Sequence, residues 1–219
     1  MLENEKPIQN DKLHDQIYVR LCDLLRNGEF TPGKAVRVSQ ISKAFGVSAM
    51  PVREALTRLL AIGVLDNVSG RSVGVPVLQH KELTDLRNVR LEVETLAVRW
   101  AVKNRTTAFV TELGDLLACL ERAEQSGEVQ GHIKANYEFH SRLYQQSKSS
   151  VLMDIIDTLW LRVSPHLYQL KRNHIRISNN HHRKIVESVR KGDADGAAAA
   201  LEADITEAYD VLVKALFNH

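Results

Sequence analysis

Residues 46–65 read GVSAMPVREALTRLLAIGVL, and the reading of this stretch decides the fold of the N-terminal third. Gly46-Val47-Ser48 has turn chemistry, and Ser48 is a residue type that caps helix N-termini. Pro51 is tolerated in the first helical turn, and Gly63 is a natural stop. A helix is therefore expected from about Ala49 to Ile62. Just upstream, Ile41, Ala44 and Phe45 form the apolar side of a shorter helix from about Ser39 to Phe45. Two short helices joined by a glycine-containing turn describe a helix-turn-helix.

Working outward, Asp11 to about Arg26 places Leu13, Ile17, Leu21, Leu24 and Leu25 near helical spacing, and Thr31-Pro32-Gly33 reads as a turn. Downstream, the runs Val64–Val68 and Val73–Val77 are rich in β-branched residues and flank Ser69-Gly70-Arg71-Ser72. That arrangement predicts a β-hairpin, and a hairpin directly after a helix-turn-helix is a wing. Charge agrees. Between Lys34 and Leu78 there are six basic residues against two acidic ones, whereas from Gln79 onward 19 basic residues balance 19 acidic ones. A local basic surplus is the footprint of a nucleic-acid-binding module.

The same stretch resembles the GntR family of bacterial regulators. Gly46, Val47, Ser48, Pro51, Val52, Arg53, Glu54, Ala55 and Leu56 fit its recognition-helix pattern, and Gly28 with Pro32-Gly33 fits its upstream turn. The resemblance implies that the helix from Ala49 reads double-stranded DNA. Arginine near the start of such a helix can grip guanine with two hydrogen bonds in the major groove. Arg53 takes that role here. Ser48 and the helix N-terminus offer a phosphate site, and Arg71 at the hairpin tip reaches the minor groove or the backbone. Arg58, one turn on, either joins them or pairs with Glu54. Ala49 stands where relatives have arginine and Met50 where they have a small polar residue. Met50 can contact a thymine methyl, and Arg37 can replace part of the missing charge.

Beyond Leu78 the strand signal gives way to about six amphipathic helical segments. A mainly α chain follows: residues 1–78 as a winged helix-turn-helix, and residues 79–219 as an antiparallel all-α bundle with its own core. The first segment carries Leu83, Leu86, Val89, Val93, Leu96, Ala97 and Trp100 as an apolar stripe, and breaks are expected near Asn104–Thr107, Gly127–Gly131, Lys148–Ser150, Ser178–Asn180 and Gly192–Asp193. No apolar run approaches the roughly 20 residues of a membrane span, and the polar start lacks a signal-peptide core. A cytoplasmic protein without a membrane partner is expected. Cys22 and Cys119, far apart and without ligand spacing, are expected to be free packing residues.

The bundle holds a polar cluster on faces that should point inward. Asn136 and His140 are four residues apart on a helix that also carries Ile133, Tyr137 and Leu143. His182 lies in register with Ile185 and Val189, and Asp204 falls between Leu201 and Ala208. His181 should face elsewhere. Buried polar groups require partners. Two imidazoles, a carboxylate and an amide oxygen suit a divalent ion such as Zn2+ or Ni2+, and a metal-free pocket pairing Asp204 with a histidine is the alternative. This half resembles the FadR-type ligand-binding domain, FCD, of the same family. The resemblance implies a metal held by a D-x-x-x-H pair and two later histidines, onto which Asn136, His140 and His182 fall. Asn136 replaces the aspartate and Asp204 the last histidine, so the carboxylate has crossed the site. Arg90 and Glu94 match the family's R-x-x-x-E; they form either an ordinary ion pair or a clamp in which Arg90 holds an effector carboxylate. Tyr137 and Arg162 are further cavity candidates.

The expected function is that of a transcription regulator, not an enzyme. It binds a pseudo-palindromic operator as a homodimer, a state the resemblance implies, and responds to a small organic acid by population shift. A variant of this reading makes the metal itself the effector. A metalloenzyme bundle is disfavoured, because no E-x-x-H motif occurs after Leu78 and no phosphate loop or nucleophile motif is present.

Overall fold

A computed structural model describes residues 11–70, 72–167 and 172–217. They form two compact units, one of Met1–Leu25 with Glu29–Val77 and the other of Arg26–Gly28 with Leu78–His219.

The first unit is a winged helix. Helices α1 (Asp11–Arg26), α2 (Val38–Phe45) and α3 (Ala49–Ala61) precede a hairpin of β1 (Asp66–Ser69) and β2 (Ser72–Gly74). Its core gathers Ile17, Leu21, Cys22 and Leu25 from α1, Ile41 from α2, and Val52, Ala55, Leu56 and Leu59 from α3. α2 stops at Gly46, whose φ of 67° is the left-handed conformation glycine adopts without strain. That stop turns the chain into α3 within three residues. The strands are antiparallel and shorter than the apolar runs predicted, with Asp66 opposite Gly74. A bridge from Ala35 to Gly74 ties the wing's base to the segment before α2. Gly74 is required there, since a Cβ would sit 2.2 Å from the Lys34 carbonyl oxygen.

The second unit is an all-helical bundle: α4 (His80–Lys103), α5 (Thr107–Ser126), α6 (Val129–Gln145), α7 (Ser150–Leu167), α8 (Arg172–Lys191) and α9 (Ala194–Phe217). Gln79 and Glu82 close a reciprocal capping box on α4, and Thr106 caps α5 through the Phe109 amide. α4 packs against α6, α7 and α9, so it runs through the centre of the bundle. None of the described helices is long and apolar enough to cross a membrane. Both cysteines are free.

Two expectations are corrected. α8 continues through Ser178–Asn180, where a break was expected; Asn179 is fully buried and its amide donates to Glu124 Oε2 at 2.6 Å and to the Leu120 carbonyl. Tertiary hydrogen bonds there outweigh weak helix propensity. The apolar stripe of α4 is also divided. Leu83, Leu86, Ala97, Val98 and Ala101 are buried together with Arg90 and Glu94, while Val89, Leu96 and Trp100 are exposed on another face. A mutually neutralising pair occupies the core side, which an apolar-inward reading does not anticipate.

Candidate functional site

In the winged helix, α3 presents Met50, Arg53, Thr57 and Arg58 to solvent. The Arg53 guanidinium makes no ion pair with any described residue. Arg58 is engaged within the unit: Nη1 lies 2.6 Å from Asp15 Oδ1, and the guanidinium stacks 4.0 Å over the Tyr18 ring. Its expected partner Glu54 instead meets His14 Nδ1 at 2.5 Å. Through these contacts Arg58 braces α3 against α1. Ser48 occupies the N-cap position in extended conformation, yet its side chain makes no capping bond, so its exposed hydroxyl and the helix N-terminus are both open. Ala49 is half-buried and Arg37 is exposed. Arg71 lies outside the described residues.

In the bundle, His132, Asn136, His140 and Tyr144 form a ladder of four-residue steps along α6, so all four share one face. His140, His182 and Asp204, from α6, α8 and α9, converge. His140 Nε2 is 3.0 Å from His182 Nε2 and 3.3 Å from Asp204 Oδ2, and His182 Nε2 is 3.9 Å from the same oxygen. All three side chains are buried. Burial, reinforced by neighbouring His140 and opposed by Asp204, pushes the His182 imidazole down to about 3, so at neutral pH it is uncharged. Phe139 packs edge-on against both imidazoles.

The donor set fits a divalent cation. Two atoms each about 2.1 Å from one ion can lie no more than about 4.2 Å apart, and all three separations satisfy that limit. Asn136 adds a second indication, because its Oδ1 is buried without a hydrogen-bond partner. An orphaned carbonyl oxygen on the same helix face as His140, in a cavity shared with Asp204, is a further oxygen donor that a cation could use.

Asn136, His140 and Asp204 also line a cavity, shared with Arg90, His132, Tyr137 and Trp160. Arg90 donates from Nε to Glu94 Oε1 at 2.5 Å and from Nη2 to Oε2 at 3.2 Å. Burial works against its charge, but Glu94 more than offsets this and holds the guanidinium protonated. Glu94 stands behind Arg90, fully buried. Trp160 lies 4.6 Å beneath the guanidinium, and its indole N–H is buried without a partner. Tyr137, in the cavity wall, meets the Trp160 ring edge-on. Arg162 is corrected: two residues beyond Trp160, it turns away from the cavity and shares the α7 face of exposed Val151 and Ile155. His181 faces outward to Glu207 at 2.7 Å, as expected.

Sequence reasoning missed Tyr144, His132 and Trp160. The α6 ladder was the available signal for the first two. Tyr144 donates to Glu94 Oε2 at 2.5 Å and lies 3.1 Å from His140 Nδ1. Burial first, and then the adjacent carboxylate, raise its hydroxyl well above the ordinary tyrosine range, so it stays protonated.

Comparison with known proteins agrees with both halves. Residues 13–75 match the family described as bacterial regulatory proteins, gntR family, and residues 85–207 match the FCD domain. The HTH-type transcriptional regulator McbR of Escherichia coli (strain K12) is 31% identical over 74% of this chain and 70% of its own length. The Nta operon transcriptional regulator of Aminobacter aminovorans is 28% identical over 84% of this chain and 87% of its own. The solved structure of E. coli McbR/YncC superposes with a TM-score of 0.87 at 26% identity, covering 92% of this chain and 97% of that one. The chain is thus a DNA-binding transcription regulator, and it belongs to the gntR family of bacterial regulatory proteins, in the branch that carries an FCD domain.

Proposed function

We propose that this regulator senses a small organic acid in the cavity of its helical bundle, alongside a divalent metal, and that the bound acid alters its hold on an operator. The observation that carries this reading is the wall of the cavity. It joins Arg90, whose guanidinium keeps N–H groups beyond the two given to Glu94, to Trp160 with an unpartnered indole N–H and to the unpartnered Asn136 oxygen. A carboxylate would satisfy the first two groups, and Zn2+ or Ni2+ on His140, His182 and Asp204 would satisfy the third. The metal would supply a fixed positive charge. The chain's own residues orient the acid and exclude water around it.

A homodimer completes the reading. Val89, Leu96 and Trp100 on α4 and Val151 and Ile155 on α7 are large apolar side chains left exposed on two helices that pack against each other. Clustered exposed apolar side chains favour covering by a partner. A second copy related by two-fold symmetry would place two winged helices on a pseudo-palindromic site. Sedimentation should show a dimer that Leu96→Glu converts to monomers; a monomeric wild type would remove this part of the proposal.

Gel-shift titration on the protein's own promoter region, at fixed salt, tests the whole. Arg53→Ala should weaken specific binding by about 1–3 kcal/mol, roughly 5- to 150-fold, whereas Arg58→Ala should change it only a few-fold, because its guanidinium serves Asp15. Addition of the effector acid should shift the wild-type curve. Binding that is wholly non-specific at physiological salt, or indifferent to Arg53, would rule out the α3 readout.

A further inference from the structure

Behind the paired imidazoles, the buried polar groups form one continuous chain. Arg90 donates twice to Glu94; Glu94 Oε2 accepts from the Tyr144 hydroxyl at 2.5 Å; and the Tyr144 oxygen lies 3.1 Å from His140 Nδ1. The donor and acceptor inventory fixes the direction of every link. A carboxylate whose two oxygens both accept from a guanidinium is an acceptor only, and Glu94 is held that way by Arg90. Tyr144 has a single proton, committed to Glu94, so towards His140 its oxygen can only accept. His140 Nδ1 must therefore carry the imidazole proton. A neutral imidazole with its proton on Nδ1 has its lone pair on Nε2, the atom that faces His182 Nε2 at 3.0 Å and Asp204 Oδ2 at 3.3 Å.

The consequence is specific to α6. If the chain were broken at Tyr144, the proton on His140 would gain by moving to Nε2, where Asp204 stands ready to accept it. The imidazole would then offer no lone pair to a cation. The hydroxyl thus decides which of two uses the His140–Asp204 contact has, a hydrogen bond between them or two ligands to one ion. Arg90, which lines the cavity, stands at the far end of the same chain.

We infer that Tyr144 is a positioning residue that locks His140 in the ligand tautomer, with Glu94 as the anchor linking it to Arg90 at the effector cavity. This rests on the metal reading proposed above.

The test uses the full chain with 15N-labelled histidine, stripped of metal, with the His140 signals identified by their loss in His140→Gln. Two-bond proton–nitrogen correlation should show the Nδ1–H tautomer in the wild type and a shift to Nε2–H in Tyr144→Phe. Chelator competition with Zn2+ should give about 10–100-fold weaker binding in Tyr144→Phe, the range expected for loss of an outer partner of a ligating histidine, with stoichiometry unchanged. Glu94→Gln provides a second route. Its amide can donate to the Tyr144 oxygen, freeing the tyrosine proton to turn towards His140 Nδ1, so the Nε2–H tautomer should appear with Tyr144 still present. It also decides the matter should Tyr144→Phe fail to fold. A wild type already in the Nε2–H form would overturn the inference, as would a Tyr144→Phe protein keeping both the wild-type tautomer and Zn2+ affinity. If the wild type takes up no Zn2+ at all, the metal reading falls, and the tautomer still decides: Nδ1–H lost in the variant supports the role of Tyr144, and Nδ1–H retained in it refutes that role.

Discussion

Glu94→Ala should lower the stability of the chain by about 3–5 kcal/mol, read as a shift in the urea midpoint of the bundle. Arg90 is 3% exposed and Glu94 is fully buried, so the alanine variant leaves a guanidinium charge inside the bundle without its counter-ion. The Tyr144 hydroxyl loses its acceptor at the same time. Arg90→Ala should cost a similar amount for the mirror-image reason. Replacing both residues by apolar ones of similar volume, Arg90→Met with Glu94→Leu, should recover much of the loss, because no charge then remains to be desolvated. The comparison separates two roles for the pair. If the double variant is as stable as the wild type but no longer responds to the effector acid, the pair is retained for ligand recognition. If each single variant costs less than about 1 kcal/mol, water or another group reaches the charges, and the buried-clamp description is wrong.

The same pair marks the limit of what the sequence disclosed. The helix-turn-helix and the wing were legible because their signals are local: a left-handed glycine at 46, proline in the first turn of α3, and β-branched runs around a short polar loop. The order of the bundle's helices was legible from periodicity wherever breaks carried glycine or threonine caps, as at Gly127 and Thr106. It failed at Ser178–Asn180, where the deciding interaction is Asn179 with α5, more than fifty residues away in the chain. On α4, pattern reading credited Val89, Leu96 and Trp100 with the inward face, because it has no means of seeing that Arg90 and Glu94 cancel one another. That His140, His182 and Asp204 face inward followed from helical register, and that they meet at one site was what the resemblance to the FCD domain implied. Tyr144 did not stand out, since an aromatic on a core face is usually packing. Its role depends on a carboxylate fifty residues earlier and on which atom holds one proton.

Metal removal gives the largest effect expected of the ligand cluster. An ion that binds only the folded chain stabilises it by about 4 kcal/mol when its free concentration is about a thousand times the dissociation constant. For a chain of this size that corresponds to a melting-point rise of roughly 8–16 °C. Purified protein should carry near-stoichiometric Zn or Ni by elemental analysis, and chelation should lower the melting point by an amount that depends on the free metal restored. His140→Ala and His182→Ala should abolish both the bound metal and that dependence, since each removes one of the two imidazole ligands and leaves only the other imidazole, Asp204 and the weaker Asn136 amide oxygen. Asn136→Asp should act in the opposite sense: it converts the orphaned amide oxygen into a carboxylate, a better ligand for Zn2+, and should tighten binding without changing stoichiometry. Melting curves that ignore both metal and chelator, in wild type and variants alike, would mean that the move of the carboxylate from α6 to Asp204 on α9 has abolished the site. The cavity would then bind its acid through Arg90 and Trp160 alone, with Asp204 paired to His140. A response of operator affinity to metal in the absence of any acid would instead make the ion itself the signal.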